Sequence, residues 1–473
     1  MNIKYRESLN EQIRKFIAIG EWDEKPRFTD IKRTITVGAS MFYTAIAKTD
    51  GRYGVKAGDL VYFKKNPTRG INPNNARTDE ARGSCEDVGE VLTHFTVKAM
   101  NEKLGDDAVF EVTPYDFAEY EDDIFWSAIA KETSALVKSK RIYGCMSPNC
   151  IDPNGEIIHG NTLIRCLMPN VKSIRSNDNT LYNYQMASIA YAEQAKEKGQ
   201  EVLIHPKNAR ADFVELMVDF MGGNSDRHCK NRTKQIIKLP DGRAVLVNTT
   251  GLDNGGVLGL QSTNCYNLFM NQYQKLMEKG KLLPYEKRGE FVDRSPFNQY
   301  FDFTVGADCF KDKRIANAYE NLSYEEQIVA LVSQNKILFN DLKNVYQHFD
   351  YDAGARLMKK HVKFNYLTSD EIERLESLGR PVDHVNGSHL PGMHLVAAAQ
   401  LEMKREMLSR AMANVMGVAF DEELFKQNKM YYVDMFEPYV KENELTIHIA
   451  SNAEIKTFDK QIEAIKQSAK QKQ

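Results

Sequence analysis

Between Asp212 and Gly256 the hydrophobic period of the chain changes abruptly, and this span constrains the fold more than any other. Phe213, Leu216, Met217, Phe220 and Met221 recur at helical spacing and form one apolar face. Gly222 and Gly223 predict the end of that helix, because glycine enters the left-handed conformation of a C-terminal cap at little cost. A polar loop, GNSDRHCKN (Gly223–Asn231), follows at once. QIIKL and RAVLV then flank PDG, which is a hairpin signal, and the second strand runs into NTTGLDNGG.

Taken singly, either polar loop is ordinary turn chemistry, since Asp and Asn tolerate left-handed backbone and bond their own main chain. Their order carries the information. Phosphoryl transfer from ATP requires an oriented hydroxyl nucleophile and Mg²⁺ held on the phosphate oxygens, and carboxylate and amide oxygens suit that hard cation. Asp226, Asn231 and Asp253 supply those groups. Asp226 can meet a substrate hydroxyl while Asn231, five residues later on the same loop, reaches inward to a metal. Asp253 would enter across the hairpin as a second metal ligand, and Gly255 and Gly256 let the backbone pass close to phosphates or turn sharply.

This pattern of apolar helix, GNxDRHxxN, hairpin and DNG resembles the HipA-like and CtkA-like bacterial kinases. More distantly it is similar to the phosphatidylinositol kinases, which share a D-R-H-x-x-N catalytic loop. ITVGAS, Ile35–Ser40, resembles the family's small-residue phosphate loop, which implies Gly38, Ala39 and Ser40 as nucleotide contacts. VYFKK is similar to the strand that ends in the nucleotide-binding lysine, implying Lys64, with Lys65 as the alternative. GSCEDVGEVL, Gly83–Leu92, resembles the helix that supplies the lysine's partner, implying Glu90, with Glu86 one turn earlier. An opposite charge there fixes a long lysine side chain at the α- and β-phosphates. GCMSPNC resembles the linker before the helical lobe.

By the family's roles, Asp226 positions or deprotonates the substrate hydroxyl, Asn231 and Asp253 hold Mg²⁺, Lys64 contacts phosphates, and His228 and Arg227 brace the loop. The resemblance implies an α+β, two-lobed protein-kinase-like fold. A small antiparallel β-sheet lobe would occupy residues 1–145, a larger helical lobe 146–345, and a helical C-terminal extension 346–473. The implied activity is ATP- and Mg²⁺-dependent transfer of the γ-phosphoryl to a Ser or Thr hydroxyl of a protein, itself included, with Ser40 as one self-target. Two residues depart from the family pattern: Met41 stands after the loop where a basic residue is usual, and Leu252 replaces an aromatic. They favour a second reading, a nucleotide-binding pseudokinase that serves as an interaction scaffold. A third is a toxin-like subunit joined to an antitoxin-like or DNA-binding partner.

The rest of the chain fits a large globular protein. TITVGAS, MFYTAIAK and DLVYFKK, separated by turn residues, predict an antiparallel sheet, and Val88, Val91, Leu92, Phe95, Met100 and Leu104 predict a helix that stops at Gly105. Ser323 and Glu326 form a possible capping box ahead of an apolar stripe through Leu338, Leu342 and Val345. Another helix is expected over Leu395–Met416, with Met403, Met407, Met412 and Met416 as core filler. The Lys- and Gln-rich end, IKQSAKQKQ, is expected to fray or to be solvated.

Lys plus Arg total 63 against 65 for Asp plus Glu, so the chain lacks the basic balance of a nucleic-acid binder and no direct nucleic-acid binding is expected. Seven irregularly spaced cysteines read as reduced thiols in a cytoplasmic protein, and no apolar run approaches a membrane span. Cys145 and Cys150 lack a second pair at zinc-ligand spacing, and Cys229 reads as a passive small residue. His384, His389 and His394 cannot share one helix across Gly387, Pro391 and Gly392, so they read as a solvated or substrate-facing loop.

Overall fold

A computed structural model describes residues 28–33, 41–50, 55–65, 86–120, 142–170, 181–224, 231–255, 257, 277–278, 281–282, 336–351, 353–354, 356–357, 393–442 and 452–471. Five strands build the first sheet: β1 (Phe28–Arg33), β2 (Met41–Ala47), β3 (Leu60–Lys65), β4 (Asp116–Tyr120) and β5 (Ile142–Pro148). Their order is β1-β2-β3-β5-β4, antiparallel at every pairing. The β2–β3 connection closes where expected, at KAGD, with Gly58 at φ 98 and Gly58 N–H bonded to Ala47 O at 2.7 Å. ITVGAS lies outside the described residues.

Helix α1 (Glu86–Leu104) packs on β4 and β5 through Val91, Leu92, Phe95 and Met100, each fully buried. It stops as the spacing predicts: Gly105 takes φ 55 and opens a single 3-10 turn over Gly105–Asp107. One expectation is corrected here. GCMSPNC is not a linker through most of its length; Gly144 to Pro148 belong to β5, which pairs with β3 on one side and β4 on the other. Turn-forming residues survive in a strand when both flanks supply ladder hydrogen bonds, and Cys145 and Met146 add buried side chains. β5 therefore runs across the boundary expected between residues 145 and 146.

The following segment is less purely helical than expected, because it contains a second sheet. Its strands are β6 (Gly155–His159), β7 (Val202–Ile204), β8 (Thr233–Lys238) and β9 (Ala244–Asn248), in the order β6-β8-β9-β7. The β8–β9 hairpin forms around PDG, with Gly242 at φ 89 and the Asp241 carboxylate accepting the Arg243 N–H at 3.0 Å. β7 joins β9 in parallel, which short VLI in isolation could not announce. Helices α2 (Gly160–Leu167) and α3 (Leu181–Glu197) cover one face, where Ile158, Leu163, Ile164, Tyr184, Ile236 and Leu246 form the core.

Helix α4 (Asn208–Gly222) is central rather than one-faced: it packs against α3, β9 and two helices from much later in the chain, and its residues are buried on all sides. Those two helices are α5 (Lys336–His348) and α6 (Met393–Val415). The expected capping box at Ser323 lies outside the described residues; so do the side chains of Met403 and His394, while Met407 and Met412 are core residues as expected. Helices α7 (Glu422–Gln427), α8 (Tyr431–Glu442) and α9 (Asn452–Lys470) complete a C-terminal region whose named elements are all helical.

The Lys- and Gln-rich end is solvated but does not fray: it continues α9 to Lys470 with mostly exposed side chains. Ile455, Phe458, Ile462 and Ile465 recur at helical spacing, and α9 lays Phe458, Ile462 and Ile465 against Leu203, Ile237, Leu239, Val245 and Val247 on the second face of the sheet. Cys145, Cys150 and Cys166 are free thiols. Among the described residues no helix is long and apolar enough to cross a membrane.

Candidate functional site

Helix α4 ends because Gly223 turns left-handed, at φ 62 and ψ 40, and its N–H reaches back to the carbonyls of Asp219 and Phe220. Asn224, fully buried, is then tied to the last turn twice: its N–H donates to Asp219 O at 2.9 Å and its side-chain amide to Asp219 Oδ1 at 2.9 Å. Residues 225–230, with Asp226, Arg227, His228 and Cys229, lie outside the described residues. The chain re-enters at a half-buried Asn231, and Arg232 O accepts the Gly160 N–H at 2.8 Å just before β8 begins.

One side of α4 is acidic. Asp212, Glu215 and Asp219, spaced three and four apart, share one side of the helix. Asp212 accepts Lys234 Nζ at 2.9 and 3.0 Å, and Asn248 adds both an acceptor for that ammonium and a 2.7 Å amide bond to Asp212. Lys234 is fully buried, so desolvation pulls its pKa below the ordinary lysine value against the opposing pull of Asp212. Glu215 lies 3.6 Å from Arg232, whose guanidinium and the Lys234 ammonium both sit over the Tyr184 ring. Buried charge on a helix is expensive unless paired, and here each carboxylate meets a group from the loop or the strand behind it.

The second polar segment starts from the same end of the β8–β9 hairpin. Thr249 Oγ1 bonds Thr233 Oγ1 at 2.6 Å and Thr233 O at 3.0 Å, closing the open end of the hairpin. In the chain Asn231 precedes this closure and Asp253 follows it. Gly251 then pairs with the stretch after α1: it bridges Val112, its N–H donates to Glu111 O at 2.7 Å, and Thr113 N–H donates to its carbonyl at 3.0 Å. A Cβ at Gly251 would stand 2.6 Å from the Phe110 ring, so this crossing requires glycine.

Asp253 itself has φ 56, the one non-glycine residue with positive φ among the described residues. Asp is among the few side chains that tolerate this conformation. Immediately after it, the Asn254 N–H donates to Glu90 Oε2 at 2.8 Å, and Glu90 is fully buried. Gly89, one residue earlier on α1, approaches the same backbone: a Cβ there would meet Gly255 O at 2.9 Å and Asn254 O at 3.1 Å. Helix α1 thus rests directly on the DNGG segment, through a carboxylate and a bare glycine.

Lys64 occupies β3 between Phe42 of β2 and Cys145 of β5, on the sheet against which α1 packs. Gly38, Ala39 and Ser40 lie outside the described residues. The structure therefore brings Glu90 to the Asn254 backbone beside Asp253; it does not describe Asp226 or His228. Gly89, Asn224 and the acidic side of α4 escaped the reading of the sequence. Gly89 carried a signal, since a glycine inside an otherwise regular helix marks a close approach. As a donor set, the Asn231 amide oxygen and Asp253 carboxylate are hard oxygen ligands of the kind magnesium takes alongside phosphate oxygens. Among the described residues no group of three His, Cys, Asp or Glu side chains converges as a metal site.

The sequence matches no family profile and no curated protein. Solved structures of two proteins resemble this one. The Helicobacter pylori proinflammatory kinase CtkA is 12% identical, with a TM-score of 0.32 over 72% of this chain and 98% of that one. HipA of Shewanella oneidensis MR-1, in a complex with HipB and its operator DNA, is 11% identical, with a TM-score of 0.33 over 91% of this chain and 72% of that one. These are the two kinds of protein that the loop motifs resemble.

Proposed function

We propose that this chain is an ATP- and Mg²⁺-dependent kinase of two-lobed architecture that transfers the γ-phosphoryl to a Ser or Thr hydroxyl of a protein. The observation that carries the reading is the bond from Asn254 N–H to the buried Glu90 carboxylate, which ties the helix packed on the sheet of Lys64 to the backbone beside Asp253. A fold that needed Glu90 only for packing would not bury a carboxylate there, since an unpaired one costs several kcal/mol, on the order of 2–7 for even a neutral polar group.

In this reading the first sheet and α1 hold the nucleotide, with Gly38, Ala39 and Ser40 at the phosphates and Lys64 oriented by Glu90. Asp226 accepts or directs the hydroxyl proton of the substrate, and His228 and Arg227 brace the loop around it. Asn231 and Asp253 hold the metal, which when bound neutralises charge on the phosphate oxygens. Asp253, fixed on both sides by Gly251 and Asn254, presents its carboxylate without reorganising, which is how a preorganised site stabilises developing charge.

Purified protein incubated with Mg²⁺ and γ-labelled ATP tests this. Label should appear on the protein itself or on a protein of a cell extract, and Asp226→Asn should abolish it. Nucleotide binding without any transfer would instead support the scaffold reading that Leu252 favours. A partner protein that binds DNA is tested separately, by co-purification from the native host and a gel shift of the complex.

A further inference from the structure

Helix α1 meets foreign backbone at two places along its length. Gly89 lies against Asn254 and Gly255, as described above. Two turns later Thr96 lies against Gly354, from the chain beyond α5: a Cβ at Gly354 would collide with Thr96 Oγ1 and stand 2.7 Å from Thr96 Cα and 2.8 Å from its N. Main-chain atoms cannot swing aside, so this crossing takes glycine. Thr96 makes room from its own side, because its hydroxyl turns back to donate to Leu92 O at 2.8 Å. Gly89 and Thr96 are two helical turns apart, so both contacts fall on one side of α1, separated by about 10 Å along its axis.

Gly354 is itself held by the later helices. Its N–H donates to Asp350 O at 3.0 Å; the Phe349 carbonyl accepts Arg405 Nη2 of α6 at 3.0 Å, and Arg405 Nε donates to Tyr346 O at 2.9 Å. Tyr351 donates its hydroxyl to Gly222 O of α4 at 3.4 Å. Lys404 of α6 donates its Nζ to Phe220 O in the same turn of α4; it is 3% exposed, and burial drives its pKa well below the ordinary lysine value. The seat under Thr96 is thus fastened to both α4 and α6.

A helix resting on one point can tilt about it, whereas two points on one side fix the tilt. The apolar contacts of Val91, Leu92 and Phe95 are non-directional and tolerate a small slide. The Glu90–Asn254 bond does not, since it is lost once donor and acceptor part by more than about 3.5 Å.

We propose that Gly354 is a positioning residue for α1: its contact with Thr96 fixes the tilt of the helix and so keeps the Glu90 carboxylate on the Asn254 N–H. Gly354 acts through α1 and touches neither nucleotide nor substrate. The consequence for phosphoryl transfer rests on the kinase reading above, but the placement of α1 does not.

The test uses Gly354→Ala in the full-length chain. Hydrogen exchange at Asn254 and across Val91–Met100 should accelerate by about tenfold relative to the β8–β9 hairpin, the size expected for loss of one buried hydrogen bond. An equal change in α1, Asn254 and the hairpin is general destabilisation and would overturn the proposal, as would no change at all. If Gly354→Ala does not fold, Tyr351→Phe replaces it: the same relative acceleration, about threefold, is expected, and its absence overturns the proposal instead. In the kinase assay KM for ATP should rise by about tenfold in Gly354→Ala, and Glu90→Gln should cost less activity in that background than in the wild type, because both changes act on one contact. Strictly additive losses would overturn the link from Gly354 to Glu90. Wild-type protein without phosphoryl transfer would sink the kinase reading, while the exchange experiment would still decide the role of Gly354.

Discussion

Around Asp253 the chain is fixed by neighbours that touch its backbone: Val112 bridges Gly251, Glu90 accepts the Asn254 N–H, and Gly89 lets α1 lie on residues 254 and 255. At the end of α4 the chain is fixed by side chains, Asn224 from the loop itself and Tyr351 and Lys404 from much later helices. Backbone contact through glycine leaves no slack, because closer approach is blocked by main-chain atoms. A long amine or a phenol can follow a small displacement and still bond. The 251–255 segment is thus held through main-chain contact and the end of α4 through side chains that can follow a displacement.

Substitutions can break or sharpen this contrast. The largest effect belongs to the acting carboxylate: Asp226→Asn should lower kcat by about 10²- to 10⁴-fold, the usual worth of a positioned acid or base, with an unchanged melting temperature. Next comes the rigid contact. Gly89→Val should destabilise the protein by about 1–3 kcal/mol, as overpacking does, and reduce transfer, measured by thermal melting and labelled ATP. A Gly89→Val protein of wild-type stability and activity would show that α1 does not rest on the DNGG segment.

Glu90 separates two roles. Glu90→Gln keeps an acceptor for the Asn254 N–H, whereas Glu90→Ala strands that donor at a cost of about 1–3 kcal/mol. If Glu90 also orients Lys64, Glu90→Gln should lose activity with little loss of stability, while Glu90→Ala loses both. The smallest effect is on pH dependence. Between the lowered folded pKa of Lys404 and the ordinary lysine value of 10.5, the unfolded chain binds a proton that the folded chain does not. Stability should therefore rise with pH through that window, by at most about 1.4 kcal/mol per unit, and Lys404→Met should flatten the slope in denaturant titrations at several pH values.

What the sequence disclosed was whatever short-range physics determines. The end of α4 at Gly222 and Gly223, the hairpin about PDG and the buried face of α1 follow from periodicity and turn chemistry over a few residues. β5 stayed hidden because Gly144, Ser147 and Pro148 read as a turn until strands on both sides are known. The parallel pairing of β7 with β9 and the seating of Lys404 on Phe220 depend on contacts between segments far apart in the chain, for which no local pattern exists. The same holds for Asp212, Glu215 and Asp219, which look like the solvated side of a helix until Lys234, Asn248, Arg232 and Asn224 are seen to meet them.

Helix α9 has a practical consequence. Its three apolar side chains shield the outer surface of the second sheet, and His205 is tethered to it through Asp459 at 2.8 Å. Any expression boundary chosen to trim the charged tail before residue 452 would strip that covering and leave Leu203, Ile237 and Val247 facing water, a recipe for precipitation from a trimmed product.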